Sequence, residues 1–515
     1  MQTQWRYGLA ICSGLLMALS VLETKFYFFA WFCLVPLLFA TRGLSLRQCY
    51  RVSFLTGFVV YLFSSYWVLP FIINMKGYGI VLSSLISFLY WAYSAQVITL
   101  IMVLWLAMSK YFVWTRLLLF PLIFVAAFAI FPNVVPVQLG VSQSHILLAI
   151  QATDILGIYG LDFAIALSNI CIYELLRLRY TKPSMLPFVM PGLFLVLWFA
   201  YGYYSQAHWE QRQIDWPSKK IGLVQPNDAP SIAIPEPQAG YGRSYPPEME
   251  MTEQLVQAGA EIVFWPESRY KGYFDSTYVR AAYHSRVKQL EVPLIMQDLE
   301  RVNSKASSSS KTYNTMLMLS DKGELASFYR KQKRIAFGEY MPMLEHNPMM
   351  RSWAQMIVGD FLATISAGQH RQVFSAAGMQ LIPLICFEII FPEFVANAAS
   401  QSPVGGVLVA ASFDGWFGES RAPFQHLAMS RIRAVENRLP LIHVINNGPS
   451  AVVMPSGRVI AQTEAFKKLA VTVDMPYSKH LDGSVYSENP RVFIFSVYGL
   501  LLMMVIRYLI VRKPS

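Results

Sequence analysis

Apolar runs of membrane-spanning length recur through the first two-fifths of the chain, and one more closes it. Crossing a bilayer takes about 20 predominantly apolar residues. On that measure 7–22, 26–41, 53–73, 79–108, 112–131, 155–176 and 186–205 are predicted spans, and 490–510 is an eighth. The first two runs are short, and the fourth is long enough to tilt or to carry a kinked extension. Run 7–22 has the length of a signal peptide, but six more runs follow it before the polar part, which favours a retained helix.

Between the seventh and eighth runs the pattern changes. Short β-rich runs (KKIGLVQ, EIVFWPE, VPLIMQD, TMLMLS, MQLIPLICFE, GGVLVAAS, PLIHVIN and KLAVTVDM) alternate with amphipathic stretches such as 247–259 and 422–437. This predicts an α/β domain over 206–489, a membrane domain over 1–205, and a closing span and tail over 490–515. Asn303–Ser310, with its serine run, and the Met-rich 341–362 read as loops.

Composition agrees. Of 515 residues 55% are hydrophobic and only 14% charged, against about 25% charged in soluble proteins. The net charge of +11 invites a nucleic-acid reading, but its location removes it. Gln206 to Glu488 holds 27 basic and 27 acidic residues, so the whole excess lies among the apolar runs. The even-numbered connections carry Arg42, Arg47 and Arg51, then Lys110 and Arg116, then Arg177, Arg179 and Lys182. The odd-numbered ones hold Glu23 with Lys25, a lone Lys76, and a stretch whose single charge is Asp154. The positive-inside rule then places both termini in the cytoplasm and 206–489 outside. Asp162, Asn169 and Glu174 are polar in apolar surroundings, and Glu174, near Arg177, reads as structural or interfacial.

Of the cysteines Cys12, Cys33, Cys49, Cys171 and Cys386, only the last lies in the predicted α/β domain, which therefore has no internal disulfide. A buried Cys ordinarily packs as a small hydrophobe. The context of Cys386 points further. It ends the apolar run LIPLI, and FPEFVANAA beyond Phe387-Glu388 reads as a helix. Such a strand–turn–helix elbow presents a nucleophile at a sheet edge.

A thiol nucleophile needs a base, and a cation or N–H donors for the oxyanion. Three stretches supply them: Glu267 after the strand-like EIVFWP, Lys331 after SFYR with Glu339 in the FGEY turn, and Glu388 two residues past the Cys. Singly, a Glu after a strand is usually a loop carboxylate, and Lys331 lies in a basic run that would ordinarily be a solvated face. The order Glu, Lys, Cys across strand ends is the specific feature. No cluster has metal-ligand spacing, there is no Walker-type phosphate loop, and His426 reads as a hydrogen-bonded structural residue.

These motifs resemble those of the nitrilase, or carbon–nitrogen hydrolase, superfamily. With YNT (Tyr313–Thr315) and the long stretch Asp414–Val459, nearly the whole chain resembles the apolipoprotein N-acyltransferase family of the bacterial inner membrane. The resemblance implies a periplasmic α-β-β-α sandwich and no cofactor. It implies that Glu267 is the general base, that Cys386 attacks the sn-1 ester of a phospholipid such as phosphatidylethanolamine, and that Lys331 stabilises the oxyanion. Glu339 would orient Lys331 or the base, with Glu388, Phe387, Tyr313 and Asn314 in support. The resulting thioester would acylate the α-amine of a diacylglyceryl-cysteine on an apolipoprotein. Met341, Met343, Trp353, Phe361, Trp416, Phe417 and Tyr245 are the expected acyl-chain or lid contacts.

The chain departs from the family pattern in three places. Phe387 stands where Tyr is usual, Ala336 where Pro is usual before the FGE turn, and the loop after VQ lacks the usual Gly-Asn-Ile run and has no Trp between Trp216 and Trp265. Tyr241 or Tyr245 is the candidate replacement. Two other functions fit the residues: a membrane-tethered amidase using water, and a non-catalytic paralogue that binds lipoproteins.

Overall fold

The computed structural model describes all residues except 1–3, 113–114, 136–137, 179–183, 304–309, 341–348, 350–351, 353–364, 403–404 and 513–515. The expected lid residues Met341, Met343, Trp353 and Phe361 thus lie outside the described residues. The chain forms two compact units: Met1–Leu69, Ile80–Trp209 and Ser484–Ser515 in one, Pro70–Gly79 and Glu210–Gly483 in the other.

The first unit is helical. Among the described residues five helices are long and apolar enough to cross a membrane: Gln4–Leu22, Ile80–Met108, Thr153–Leu178, Leu186–Arg212 and Val492–Ile510. The number rises to seven if two bent pairs each count as one span, Thr24–Trp31 with Val35–Thr41 (41°) and Leu46–Ser64 with Val68–Lys76 (57°). The remaining predicted run forms the shorter apolar helix Arg116–Ile130. Helix Leu46–Ser64 starts earlier than its apolar run because Ser45 and Gln48 form a capping box. Beyond the second bend, Pro70–Gly79 groups with the α/β unit rather than with the helices.

Three polar side chains inside the helical unit find protein partners, as an apolar medium demands. Asn169 Oδ1 accepts from Leu34 N at 2.7 Å, and its amide donates to the carbonyls of Ala30 and Ile165. Asp162 accepts from Gly140 N at 2.7 Å. Glu174 meets Arg177 at 2.6 Å and Arg116 at 3.4 Å, the structural role expected of it.

The second unit has two six-stranded sheets. In chain order its strands are β1 (Ser218–Gln225), β2 (Ile262–Phe264), β3 (Leu294–Asn303), β4 (Ser310–Leu319), β5 (Leu325–Arg330), β6 (Phe374–Ala376), β7 (Met379–Ile385), β8 (Gly406–Ser412), β9 (Leu441–Ile445), β10 (Ala451–Val453), β11 (Val459–Gln462) and β12 (Leu469–Pro476). The sheet orders are β12-β1-β2-β3-β4-β5 and β11-β10-β9-β8-β7-β6. Each has a parallel centre, β1-β2-β3 and β7-β8-β9, flanked by antiparallel strands. The parallel strands read as near-continuous apolar runs because both faces are covered. β8, for example, is buried at every position.

Helices Pro247–Gln257 and Thr277–Leu290 cover the first sheet. Met249, Leu255, Tyr283 and Val287 pack there on Val263, Trp265, Met296 and Leu317. Pro392–Ala399 and Ala422–Asn437 cover the second, and the inner faces of the two sheets meet through β1 against β9 and β4 against β7. This is the α-β-β-α sandwich, and it directs the ends of β2, β5, β7 and β8 to one place.

Gly57 tests the helical packing. A Cβ there would lie 2.6 Å from the carbonyl oxygen of Ala95, so two backbones approach at a position only glycine allows. Gly57→Val is expected to cost about 1–3 kcal/mol through overpacking. The check is the thermal unfolding midpoint in detergent, which should fall well below that of the neutral-site control Gly8→Val, where a Cβ meets nothing within 4 Å.

Candidate active site

Cys386 follows β7 directly with a φ of +51°, in the left-handed region that a non-glycine residue rarely adopts. A short 3-10 turn (Cys386–Ile390) and the helix Pro392–Ala399 come next. Such strain persists only where surroundings over-determine it, and here they do. The Glu388 carboxylate, fully buried, accepts from Ile385 N at 2.8 Å, holding the elbow on itself. Its other oxygen accepts from Gln332 N at 2.7 Å, Lys333 N at 3.0 Å and Tyr329 Oη at 2.8 Å. One carboxylate therefore ties the turn after β5, which carries Lys331, to the turn after β7, which carries the thiol.

Lys331 is 1% exposed, and its Nζ lies 2.8 Å from Glu339 Oε1. Glu339 Oε2 accepts from Ile335 N at 2.8 Å, so the FGE turn is fixed by the same side chain that neutralises the lysine. Glu267, just past β2, accepts from Asn314 Nδ2 at 2.6 Å and from Phe413 N at 3.1 Å. Asn314 is in turn aimed by Gln297, whose amide donates to it at 2.7 Å and accepts from Ser268 N at 2.7 Å. Gln297 and the Phe413 N–H were not legible as site groups. Their roles depend on pairing across strands.

The electrostatics follow from burial and proximity. Burial pushes the Cys386 thiol well above its usual range, the Glu267 charge adds to this, and Lys331 opposes it. Burial also lifts the Glu267 carboxyl above the ordinary carboxylate range, with Lys331 pulling the other way. For Lys331, burial works against the charge, but Glu339, Cys386 and Glu267 outweigh it and hold the ammonium above its ordinary value. At rest the thiol keeps its proton. A neighbouring carboxylate of raised basicity is placed to take it, and a permanent cation stands by for developing negative charge.

Behind Cys386 lies a buried pair. His426 Nδ1 is 3.1 Å from both oxygens of Asp414, which also accepts from Ser412 Oγ at 2.7 Å. Burial disfavours the imidazolium, yet Asp414 more than compensates and raises the His426 pKa. The neighbouring His443, edge-on to it at 5.2 Å, is pushed down to about 3 by burial and the His426 charge, and so is neutral.

Not every expected site residue joins this group. Asn314 does, but Tyr313 lies on the opposite face of β4, under the Arg330 guanidinium at 4.3 Å, because successive strand residues alternate faces. Tyr245 packs at the edge of the first sheet's core and donates to Glu253 at 3.0 Å, while Tyr241 donates to Glu250. Neither lines the cavity beside Glu267. Phe387 is buried edge-on to Phe391. Trp416 does line that cavity, and Phe417 stacks on Phe71 at 5.3 Å. The cavity holds about 550 Å³ and is walled by Met75, Leu299, Ile365, Phe413 and Trp416 around the acids Glu267 and Glu339. Among the described residues no cluster of three metal-ligating side chains occurs.

Comparison with known proteins bears on both units. The carbon-nitrogen hydrolase family matches residues 247–480, and the apolipoprotein N-acyltransferase N-terminal domain matches residues 13–171. An apolipoprotein N-acyltransferase of Geobacter metallireducens is 30% identical over 95% of this chain and 92% of its own length. The chain belongs to the apolipoprotein N-acyltransferase family. It is thus an enzyme of the acyltransferase class, with a carbon–nitrogen hydrolase unit and several apolar helices that mark a bacterial membrane protein. The family's enzyme from Rickettsia typhi is 25% identical over 95% of this chain and 93% of its own length. An amidase from Nesterenkonia sp. covers 55% of this chain and 98% of its own, at 18% identity and a TM-score of 0.37.

Two outcomes are expected. Glu388→Gln turns a donor toward a main-chain N–H and loosens the Lys331 turn. The limiting rate at which a thiol-reactive ester modifies Cys386 should fall at least about tenfold while its half-saturating concentration stays within about twofold; a rise in that concentration alone would exclude a positioning role. Second, the Glu267 carboxyl can accept a thiol proton only when ionised, and its pKa is raised. Modification of Cys386 by the same ester should therefore decline as pH falls through a value above the ordinary ~4.3 of a Glu carboxyl. Glu267→Gln should lose that acid limb together with about 10²–10⁴ in rate.

Proposed function

We propose that the protein takes the sn-1 acyl chain of a phospholipid, with phosphatidylethanolamine as donor, onto Cys386 and passes it to the N-terminal amine of a diacylglyceryl-cysteine on an apolipoprotein. The observation that carries this reading is the convergence of Glu267, Lys331 and Cys386 in one buried group within a chain of this family. In the first half-reaction Glu267 takes the thiol proton as sulfur attacks the ester carbonyl. Lys331, held by Glu339, stabilises the tetrahedral oxyanion. Collapse expels the glycerol oxygen, which recovers the proton from Glu267, and leaves a thioester and a lysophospholipid. In the second half the free amine attacks the thioester, Glu267 accepts its proton, and the thiol is regenerated as the amide forms. Two steps let one site serve two lipids in turn.

A thioester acylates an amine without ATP, but water competes. The burial of all three side chains supports transfer over hydrolysis. The positive-inside count supports eight spans, with Arg116–Ile130 as one of them, both termini cytoplasmic and the α/β domain, 206–489, in the periplasm. Trp416 and Phe417 are suited to acyl-chain contact, as are Met341, Met343, Trp353 and Phe361.

The test is intact mass of the purified full-length protein incubated with phosphatidylethanolamine. A fatty-acyl increment is expected on the wild type and none on Cys386→Ala. Hydroxylamine should remove it, as should a diacylated lipopeptide with a free N-terminus, which must gain the acyl group. An increment lost to water, with no gain on the lipopeptide, would instead make the protein a hydrolase. No increment at all would remove the catalytic reading.

A further inference from the structure

Among the described residues, two cations line the cavity beside Glu267 without an acidic partner. Lys76, the lone charge between the third and fourth apolar runs, ends the helix Val68–Lys76. Its Nζ makes one hydrogen bond, to the Gly338 carbonyl at 3.1 Å, beside the turn that carries Glu339. Arg269, two residues past Glu267, donates through Nη2 to the Ile232 carbonyl at 2.8 Å, while its Nε is buried with no acceptor. Both side chains face the same cavity as Glu267 and Trp416. Among the described residues neither forms an ion pair, unlike Lys331 with Glu339 or Lys271 with Glu248. Burial draws the Arg269 pKa below the guanidinium range, with Arg301 adding to the effect. A buried donor left unsatisfied is costly, and an anion brought by a ligand removes that cost.

The two cations are half-buried, whereas Glu267 and Glu339 are buried, so the positive groups stand nearer solvent than the acids. Lys76 also closes an apolar helix, and long cationic side chains at such ends reach the headgroup level of a bilayer.

We propose that Lys76 and Arg269 bind the phosphodiester of the donor lipid and thereby set its sn-1 ester against Cys386. This rests on the phospholipid-donor reading above. In a glycerophospholipid, three glycerol carbons separate the phosphate oxygen from the sn-1 ester oxygen, so anchoring the first limits where the second can be. Only the donor carries a phosphate. The diacylglyceryl-cysteine acceptor has none, so the pair distinguishes the two lipids that one cavity must take in sequence. Their charge also disfavours the protonated form of the incoming α-amine, which attacks only when neutral.

The test measures binding rather than turnover. The full-length protein is titrated with a dialkyl ether analogue of phosphatidylethanolamine, which offers no ester to cleave, and with the dialkyl glycerol of the same chains. Retention is read by native mass spectrometry. The wild type should prefer the phosphate-bearing lipid by about tenfold or more, the scale of one or two charge-assisted hydrogen bonds. Lys76→Met combined with Arg269→Gln should bring the preference close to parity while the dialkyl glycerol still binds, and Lys76→Arg should keep most of it. A double variant with the wild-type preference would overturn the assignment. So would loss of both lipids together, which would report a collapsed cavity. Glycerophosphoethanolamine and inorganic phosphate form a further arm. Displacement of the lipid only at far higher concentrations supports a headgroup site, whereas displacement at matching concentrations makes it a site for free phosphate. Because no acyl-enzyme is required, a wild type that never acylates Cys386 would sink the function proposed above and leave this result readable.

Discussion

The site depends on one buried carboxylate. Glu388 accepts four hydrogen bonds, three from main-chain N–H groups and one from Tyr329. Two of those N–H groups belong to the turn after β5 and one to the elbow after β7. These strands are not neighbours, because β5 ends the first sheet and β7 lies inside the second. Nothing in either hydrogen-bonded ladder sets the distance from Lys331 to Cys386. A charge in a low-dielectric interior must satisfy its lone pairs. It does so here by drawing donors from both sheets, and the outcome is a fixed register between them. Burial raises the Glu388 pKa and the four donors oppose the rise, so ionisation and geometry are coupled.

A second constraint is charge balance within a nearly dry site. Glu267, Glu339 and Lys331 together carry one net negative charge when all are ionised. A thiolate would add another. Burial is the main reason that both the thiol and the Glu267 carboxyl are raised; neighbouring carboxylates add to it, and Lys331 opposes it in both. In the proposed mechanism the proton moves only as new charge develops on a substrate oxygen near Lys331. Asn314 and the Phe413 N–H keep Glu267 directed at that task, since each takes one of its oxygens. The Asp414–His426 pair adds no net charge behind the elbow when the imidazole is protonated, so it braces the second sheet without disturbing the balance.

Much of this was legible in the chain. Periodicity located the helices Pro247–Gln257 and Ala422–Asn437 almost to the residue, and the β-rich runs correspond to strands on both sheets. Strand ends rich in Glu, Lys and Cys marked the group now seen together. Contacts made across the fold were not legible. Gln297 orients Asn314 from a neighbouring strand, and no local pattern announces it. Tyr313 and Asn314 are adjacent in one motif, yet strand alternation sends only Asn314 inward. Pro70–Gly79 read as the end of a span and a loop, whereas Asn74 donates to the Trp416 carbonyl at 3.1 Å and Phe71 stacks on Phe417. Hydropathy registers how apolar such a segment is and carries no information about which surface it meets.

In the proposed function, that segment bears on how a lipid would reach a buried thiol. Its apolar side chains, which come from an apolar helix, meet the Trp416-Phe417 pair of the turn after β8 and form one wall of the α/β unit. The cavity is therefore lined partly by groups suited to hydrocarbon and partly by Glu267, Lys76 and Arg269. An acyl ester has the same division, with an aliphatic chain on one side of the carbonyl and a polar glycerol on the other. A cavity polar throughout would admit water to the thioester, and one apolar throughout would leave Lys331 and Glu267 without the polar surroundings that fix them. In the function proposed above, the split lining would let the ester carbonyl lie at the boundary beside Glu267, while the chain itself excludes the water that would compete for it.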